Sequence, residues 1–175
     1  MNLWKESTKE VKKVPSIALC ALLVALNVAA KSLNIIVTQD LKIGFSGVFM
    51  GVSGLVVGPF LSAIGGVIGD ILGFIVNPTG PYFPGFTFNE LVIGLLYGFM
   101  FYKQKEIKLS RVIIARLLHT VLINIILTPI WLNILYGTSF FAIPRLIKNI
   151  VLFPVDVFIL YSALKVGLQI TKRLK

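Results

Sequence analysis

The sequence predicts an all-α membrane protein, a compact bundle of six transmembrane helices that forms one domain over residues 1–175. Hydrophobic residues make up 57% of the chain and charged residues 14%, well under the roughly 25% charged residues of soluble domains. Apolar runs recur along the whole sequence, and the mean hydropathy is +0.91. Because a water-soluble fold could not cover this much apolar surface, the lipid bilayer is the expected solvent.

Glycine, proline and charged residues divide the chain into six apolar runs. The second and third runs are shorter than the about 20 residues of a usual span, and Gly58-Pro59 joins them without any charged residue. Such a tight turn fits a membrane face better than the hydrocarbon. The predicted spans are Pro15 to Ile36, Ile43 to Val57, Pro59 to Val76, Gly85 to Tyr102, Val112 to Leu135 and Arg145 to Ile170.

Three blocks of basic residues set the predicted orientation. Six spans place all three blocks on one side of the membrane, and the positive-inside rule assigns that side to the cytoplasm. We therefore expect a multi-pass protein of a bacterial cell membrane with both termini in the cytoplasm. The segments 31–42, 77–84 and 136–144 then lie outside and are candidates for a ligand entrance. The blocks are Lys5, Lys9, Lys12 and Lys13; Lys103, Lys105, Lys108 and Arg111; and Lys172, Arg173 and Lys175.

Several function classes find no support in the sequence. The net charge of +10 does not indicate nucleic-acid binding, because the cations form blocks between apolar runs rather than one polar face. The single histidine, His119, has no carboxylate at ligand spacing, so a metal site is not expected. There is no G-x-S-x-G elbow and no Walker phosphate loop. We expect no catalysis and no cofactor, and any uphill transport draws energy from a partner or an ion gradient.

Small residues recur every four positions in several spans, which lets helix backbones approach closely. The stripe Ala21, Ala25 and Ala29 in the first span is open to two interpretations, an inward packing face or a docking face for another membrane subunit. The glycine stripes are expected to be internal contacts. They are Gly47 and Gly51, Gly65 with Gly69 and Gly73, and Gly94 and Gly98.

Ionisable groups inside a span are costly and need a partner or a watery cavity. His119 is expected to be a hydrogen-bonded helix contact rather than a ligand group. The lone cysteine, Cys20, is expected to be a buried small residue. The other intramembrane ionisable residues are Asp70, Glu90, Arg116, Asp156 and Lys165.

The stretch from Asn77 to Glu90 is the most informative part of the sequence. Its prolines and glycines fix an irregular backbone before the fourth span. Its aromatic rings and polar groups could stack on a flat heteroaromatic ligand and hydrogen-bond its edge. An aromatic belt at the membrane interface is the alternative, but a belt does not need this density of Pro and Gly. The groups are Tyr82, Phe83, Phe86 and Phe88 with Thr87, Asn89 and Glu90.

At these residues the chain resembles the substrate-binding S components of energy-coupling factor (ECF) vitamin transporters, most closely those specific for folate. The Gly-Pro and GxxxD elements are shared by many S components, whereas the Tyr-Phe-Pro-Gly-Phe-Thr string indicates folate. The resemblance covers nearly the whole chain. It is carried by the alanine stripe of the first span, the runs 44–47, 54–59 and 65–73, the string 80–87, and Leu135-Tyr136-Gly137 followed by Arg145 and Lys148.

The resemblance implies a six-helix subunit with a ligand pocket on the extracellular side. Such a subunit captures a vitamin and joins a transmembrane coupling protein and two cytoplasmic ATPases. In that family an AxxxA motif in the first span docks the coupling protein, which falls here on Ala21 and Ala25 or on Ala25 and Ala29.

The chemistry of folate fits the residues that these segments supply. The aromatic rings of Phe83 and Phe86 would stack on the pterin and benzoyl rings, and Arg145 with Lys148 would hold the glutamate carboxylates. Asp70 and Glu90 compete for the pterin's N–H edge. The remaining expected contacts are Phe45, Pro84, Gly85 and Thr87.

Two other functional classes remain open at this stage. One is a stand-alone permease driven by an ion gradient, and the other is a membrane assembly protein without a small ligand. ATPase subunits that co-purify with the protein would favour the ECF interpretation over a permease. A bound ultraviolet-absorbing ligand would exclude the assembly role.

Overall fold

The computed structural model describes residues 3–32, 35–38, 41–43, 46–78, 80–137 and 143–173. The fold is helical, as predicted, with one short β-hairpin between the second and third helices. In chain order the elements are α1 (Leu3–Glu10), α2 (Val14–Ser32), β1 (Ile35–Thr38), β2 (Leu41–Ile43), α3 (Ser46–Val76), α4 (Pro84–Phe101), α5 (Leu109–His119), a π-helical segment (Thr120–Leu127), α6 (Thr128–Tyr136) and α7 (Ile143–Arg173).

Within the described residues, four helical stretches are long and apolar enough to cross a membrane. They are Val14–Ser32, Gly47–Val76, Leu109–Tyr136 and Ile147–Lys172. Many of their large apolar side chains are exposed, including Leu22, Ile114 and Phe158. Exposed apolar surface on this scale suits lipid rather than water.

The helix α3 folds back on itself at Gly58. Gly58 has a φ of +80° and a ψ of 178°, a conformation that favours glycine, and Pro59 follows it as a helix-starting residue. A Cβ atom placed on Gly66 would lie 2.8 Å from Met50 Cε, although 16 residues of straight helix would span about 24 Å. The arms 46–57 and 59–76 therefore run antiparallel, as the predicted turn at Gly58-Pro59 required.

The helix α4 packs backbone to backbone against both arms of α3. A Cβ atom on Gly98 would lie 2.2 Å from Pro59 Cα, and one on Gly54 would lie 2.6 Å from the backbone of Tyr97. Farther along, a Cβ atom on Gly94 would lie 2.6 Å from the Ser62 carbonyl oxygen. These contacts confirm that the predicted glycine stripe of α4 is an internal packing face. The stripes of α3 are internal as well, since a Cβ atom on Gly51 would lie 2.5 Å from Leu160 Cδ1 and one on Gly65 would lie 2.9 Å from Cys20 Sγ.

The first predicted span is wrong at its C-terminal end. The helix α2 ends at Ser32, and Ile35 and Ile36 lie in β1, where they pair with Ile43 and Lys42 of β2. The second predicted span starts too early, because Ile43 belongs to β2 and α3 begins only at Ser46. Short runs of β-branched residues are apolar in either structure, so hydropathy alone could not separate helix from strand here.

The fifth predicted span is one helical rod with an irregular middle. The α-helix α5 passes into the π-helical segment Thr120–Leu127, which passes into α6. The backbone N–H of Thr128 donates to the carbonyl of Ile123, five residues earlier. Pro129 comes next and has no N–H group to donate. The wider π-helical turns thus lie directly before a proline, where the regular hydrogen-bond pattern is interrupted.

The amphipathic helix α1 covers the Gly58-Pro59 turn at one end of the bundle. The backbone N–H of Phe60 donates to Ser7 Oγ at 3.0 Å, which satisfies a donor at the start of the second arm of α3. Trp4 stacks on Phe99 with ring centroids 6.1 Å apart. This end of the bundle also holds Tyr102, at the C-terminus of α4.

The carboxylate of Glu10 also joins α1 to this end of the bundle. Tyr102 Oη donates to Glu10 Oε1 at 3.2 Å, and Lys13 Nζ donates to it at 2.9 Å. Burial of Glu10 raises the pKa of its carboxyl group, but the hydrogen bonds from Ser16, Lys13 and Tyr102 together lower that pKa below its ordinary value. The ionised carboxylate thus links α1 to α4.

We expect Gly98→Ala to destabilise the fold, because its new Cβ atom would overlap the backbone of Pro59. Overpacking of this kind typically costs about 1–3 kcal/mol, which thermal unfolding in detergent measures. Gly69→Ala is the matched control, since its Cβ atom would lie 3.5 Å from Val24 Cγ1, an ordinary contact. Equal melting temperatures for the two variants would contradict the backbone contact.

Candidate functional site

Aromatic side chains gather at the opposite end of the bundle, where α4 begins. We call this region, formed by Tyr82, Phe83, Phe86 and Trp131, the aromatic end. The ring of Phe83 lies 6.0 Å from that of Phe86 and 5.8 Å from that of Trp131, centroid to centroid. Phe83 is extended, and Pro84 opens α4 directly after it. The string Phe83-Pro84 therefore fixes where the rings leave the helix.

The glycine at position 85 is required by this packing. A Cβ atom on Gly85 would lie 2.5 Å from the Phe83 ring and 2.6 Å from the indole of Trp131. Gly85 and Thr87 are buried, whereas Tyr82 is 44% exposed and Phe88 49% exposed. Phe83 and Phe86 are half-buried. The predicted residues Phe83, Gly85 and Phe86 are thus in one cluster, and Trp131 from α6 completes it.

The buried amide of Asn89 holds α4 against α6. Trp131 Nε1 donates to Asn89 Oδ1 at 3.0 Å, and Asn89 Nδ2 donates to Thr128 Oγ1 at 3.2 Å. Sequence reasoning singled out neither Thr128 nor Trp131. The signal was present, because a tryptophan in an apolar run usually needs an acceptor for its N–H group.

Lys31, Asp70 and Glu90 form an ion-pair cluster among α2, α3 and α4. Lys31 Nζ lies 2.9 Å from Asp70 Oδ1 and 2.8 Å from Glu90 Oε1, and all three side chains are no more than 17% exposed. One ammonium group thereby serves two carboxylates, which meets the demand that charges within apolar surroundings be paired. The sequence had marked both carboxylates as needing a partner, and Lys31 is that partner.

Asp70 also connects the ion-pair cluster to the loop before α4. Thr87 Oγ1 donates to Asp70 Oδ2 at 2.8 Å, and the hydroxyl groups of Tyr82 and Thr87 lie 2.9 Å apart. Both oxygens of Asp70 therefore accept hydrogen bonds. The ion pair of Glu90 uses Oε1, which leaves Glu90 Oε2 the better placed oxygen for a further donor.

A second polar cluster lies deeper in the bundle, among α4, α5 and α7. Arg116 pairs with Asp156 and donates to Tyr97 Oη at 3.4 Å. Tyr97 Oη lies 2.8 Å from His119 Nδ1, and both of these side chains are buried. The prediction that His119 makes a hydrogen-bonded helix contact is confirmed. Lys165 lies 4.6 Å from the centroid of the Tyr161 ring, a cation–π contact.

The remaining predicted site residues lie in or near α7 and α3. Position 145 belongs to the first turn of α7, and Lys148 is half-buried one turn later. Phe45 and the side chain of Arg145 lie outside the described residues. Their predicted contacts to a ligand therefore stay predictions.

The alanine stripe of α2 faces away from the bundle. Ala21, Ala25 and Ala29 are all exposed, and Leu22 and Leu26 beside them are 56% and 41% exposed. The opposite face of α2 packs on α3, where a Cβ atom on Gly65 would lie 2.9 Å from Cys20 Sγ. Cys20 is buried, as predicted. The structure thus excludes an inward packing face for this stripe within the described part of the chain.

Comparison with known proteins identifies close relatives. The family described as "ECF transporter, substrate-specific component" matches residues 15–165. A protein of Clostridium novyi strain NT named Folate transporter FolT is 35% identical over 157 residues, which cover 89% of this chain and 91% of that protein. A protein of the same name from Leuconostoc mesenteroides is 34% identical over 154 residues, 83% of this chain and 82% of its own length.

A solved structure shares the fold. It is described as the crystal structure of FolT bound with folic acid, and it superposes with a TM-score of 0.80 at 40% sequence identity. The match covers 87% of this chain and 96% of that one.

Proposed function

Since the chain belongs to the substrate-specific components of ECF transporters, we propose that it binds folate at the aromatic end of its helix bundle. In this role it captures the vitamin outside the cell and has no catalytic activity of its own. Relatives named Folate transporter FolT and the structural likeness to a FolT with bound folic acid support this ligand.

The aromatic cluster is the observation that carries the proposal. Phe83, Phe86 and Trp131 present three rings around Gly85, whose missing side chain leaves room for them to meet. Stacked or edge-to-face contacts with such rings suit the flat pterin and the benzoyl ring of folate. The hydrogen bonds of Asn89 to α6 hold the cluster in place before a ligand arrives.

We further propose that Glu90, rather than Asp70, accepts from the N–H edge of the pterin. Asp70 already accepts from Lys31 and Thr87, whereas the ion pair of Glu90 occupies only Oε1. Asp70 then orients Thr87 and the loop that leads to Pro84. Phe45, which precedes α3 in the sequence, is proposed as a further ligand contact.

The glutamate tail of folate is assigned to the start of α7. Arg145 and Lys148 are cations in its first two turns, and charge-assisted hydrogen bonds to carboxylates are among the stronger polar contacts. A cation at a membrane surface also has a role without any ligand, as an anchor for lipid headgroups. Only the first role makes the affinity for the ligand depend on its glutamate.

We propose six membrane spans, which the fold-back of α3 supports. The two arms of α3, with α2, α4, the rod from α5 to α6, and α7, would each cross the membrane once, with both termini in the cytoplasm. This topology puts the three basic blocks of the sequence on the cytoplasmic side, in agreement with the positive-inside rule. The aromatic end faces outward.

The proposed partners are a transmembrane coupling subunit and two cytoplasmic ATPases, which supply ATP hydrolysis. The exposed stripe of Ala21, Ala25 and Ala29 supports docking, because small residues let a second helix approach the backbone closely. Lipid alone would tolerate larger side chains at these positions.

The ligand assignment predicts that the purified protein binds folic acid, and that Arg145→Ala weakens this binding by about 10- to 150-fold. This range follows from about 1.5–3 kcal/mol for one charge-assisted contact. Calorimetric titration of wild type and variant with folic acid and with pteroic acid, which lacks the glutamate, measures the effect.

Pteroic acid is the control, and its affinity should barely change in Arg145→Ala. Equal losses for both ligands would mean that Arg145 supports the fold. No loss for either ligand would leave Arg145 as a lipid anchor, and absence of folic acid binding by the wild type would contradict the proposed function.

The topology predicts that a cysteine at the exposed position Asn77 reacts with a membrane-impermeant thiol reagent on intact cells. A cysteine at the exposed position Lys105, in the opposite basic block, should react only after permeabilisation. Both variants carry Cys20→Ala, although Cys20 is buried. The reverse pattern of labelling would overturn the orientation.

The docking surface predicts that Ala25→Trp abolishes folate uptake while folic acid binding by the purified variant is unchanged. Position 25 belongs to both possible registers of the AxxxA motif, and an indole there would keep a partner helix away from the backbone. Ile114→Trp, on the exposed face of α5, is the matched control and should leave uptake intact. Loss of binding in a folded Ala25→Trp variant would argue against docking.

A further inference from the structure

Among the residues that the structure describes, Asn149 carries a buried amide nitrogen without a hydrogen-bond partner. Its Nδ2 atom is shielded from solvent, and no acceptor lies within reach of it in the described part of the chain. Its Oδ1 atom accepts from Asn124 Nδ2 at 3.4 Å, longer than the roughly 2.7–3.2 Å of a usual N–H···O bond. Exchange of O and N in either amide would still leave one buried polar atom unpaired. Because buried donors are seldom left without partners, this group calls for an explanation.

Three other side-chain atoms share this property, but their positions differ. They are Asn27 Oδ1, Ser62 Oγ and Arg116 Nε. Arg116 already binds Asp156 and Tyr97 through its other nitrogens, and Asn27 lies on α2 away from α7. Asn149 is the unpaired amide on the helix that begins with the two cations proposed to hold the carboxylate tail.

The surroundings of Asn149 connect it to the aromatic end. Its partner Asn124 lies in the π-helical segment, one turn before Thr128 on the same rod, and Trp131 follows one turn later. In the α-helix α6, Thr128 and Trp131 are three residues apart and share a face. Thr128 and Trp131 are the residues that bind Asn89 of α4. Asn149 therefore contacts this rod about one turn before the residues that bind Asn89.

The helical spacing also places Asn149 relative to the ligand's tail. Positions 145 and 149 are four residues apart in α7, so they lie on one face and about 6 Å apart along the axis. Position 145 is nearer the end of the helix. Asn149 therefore lies about one turn deeper in the bundle than the position proposed to meet the carboxylates.

Long π-helical segments are uncommon and are often found at functional sites. The eight residues Thr120–Leu127 form one here, and Asn124 lies in its middle. From this stretch Asn124 Nδ2 donates to Asn149 Oδ1 of α7.

We propose that Asn149 Nδ2 donates a hydrogen bond to an acceptor atom in the ring portion of the ligand, the part that folic and pteroic acid share. The inference rests on the proposed function and adds a residue that determines specificity for the rings. A ring nitrogen or carbonyl oxygen supplies an acceptor for this amide group, which has none among the described residues. An analogue without an acceptor there would leave a buried donor unpaired, which discriminates strongly between ligands.

The competing explanation is that Asn149 only joins α7 to the π-helical segment. The two explanations are separated by the pair Asn149→Ala and Asn124→Ala. Both variants lose the same interhelical hydrogen bond, so their melting temperatures should fall by similar amounts. Only Asn149→Ala also removes the Nδ2 donor. Asn27→Ala serves as a further control, as another buried amide with an unpaired atom.

The experiment titrates wild type and the three variants with folic acid and with pteroic acid by calorimetry. Asn149→Ala is expected to weaken both ligands alike, by roughly tenfold, while Asn124→Ala and Asn27→Ala change either affinity by less than about twofold.

Equal losses for Asn149→Ala and Asn124→Ala would overturn the inference in favour of an interhelical role. Unchanged affinity in Asn149→Ala, or a loss for folic acid alone, would also overturn it. Failure of the wild type to bind folic acid would contradict the proposed function itself, and with it the ligand assigned to Asn149.

Discussion

Backbone contact between α4 and the two arms of α3 is the constraint on which the rest of the structure depends. Lipid supplies no hydrophobic force that drives helices together, so membrane bundles rely on close packing and polar links. Here Gly54, Gly94 and Gly98 bring the backbones together, and Gly58 turns the chain so that both arms of α3 meet one helix. A side chain at any of these contacts would move α4, and with it the aromatic end.

Polar links then fix the two ends of α4. At one end Tyr102 donates to Glu10 and Ser7 accepts from Phe60, so that α1 locks the turn of α3. At the other end Glu90 shares Lys31 with Asp70, and Asn89 binds α6. Because each link joins different helices, α4 is held from several sides. The rings that begin its first turn are therefore presented on a rigid support, which is what a preorganised site for a flat ligand needs.

Sequence patterns predicted most of the helices, because hydropathy and small-residue spacing reflect local composition. They failed where a segment's secondary structure, or a residue's place in the site, depends on contacts with distant parts of the chain. The strands Ile35–Thr38 and Leu41–Ile43 are as apolar as a helix, so they were missed. The turn at Gly58-Pro59 was found because glycine and proline have distinct backbone preferences. For the site, the string from Phe83 to Thr87 was found, whereas Trp131 and Lys31 join it from distant parts of the chain.

The helix α2 relates the proposed ligand site to the proposed docking surface. Lys31, in its last turn, holds Asp70 and Glu90, while Ala21, Ala25 and Ala29 are exposed on the same helix. The two ion pairs of Lys31 therefore tie the last turn of α2 to both α3 and α4. Since Glu90 is also the carboxylate proposed to meet the pterin, the proposed ligand site and the helix that carries the alanine stripe share one group.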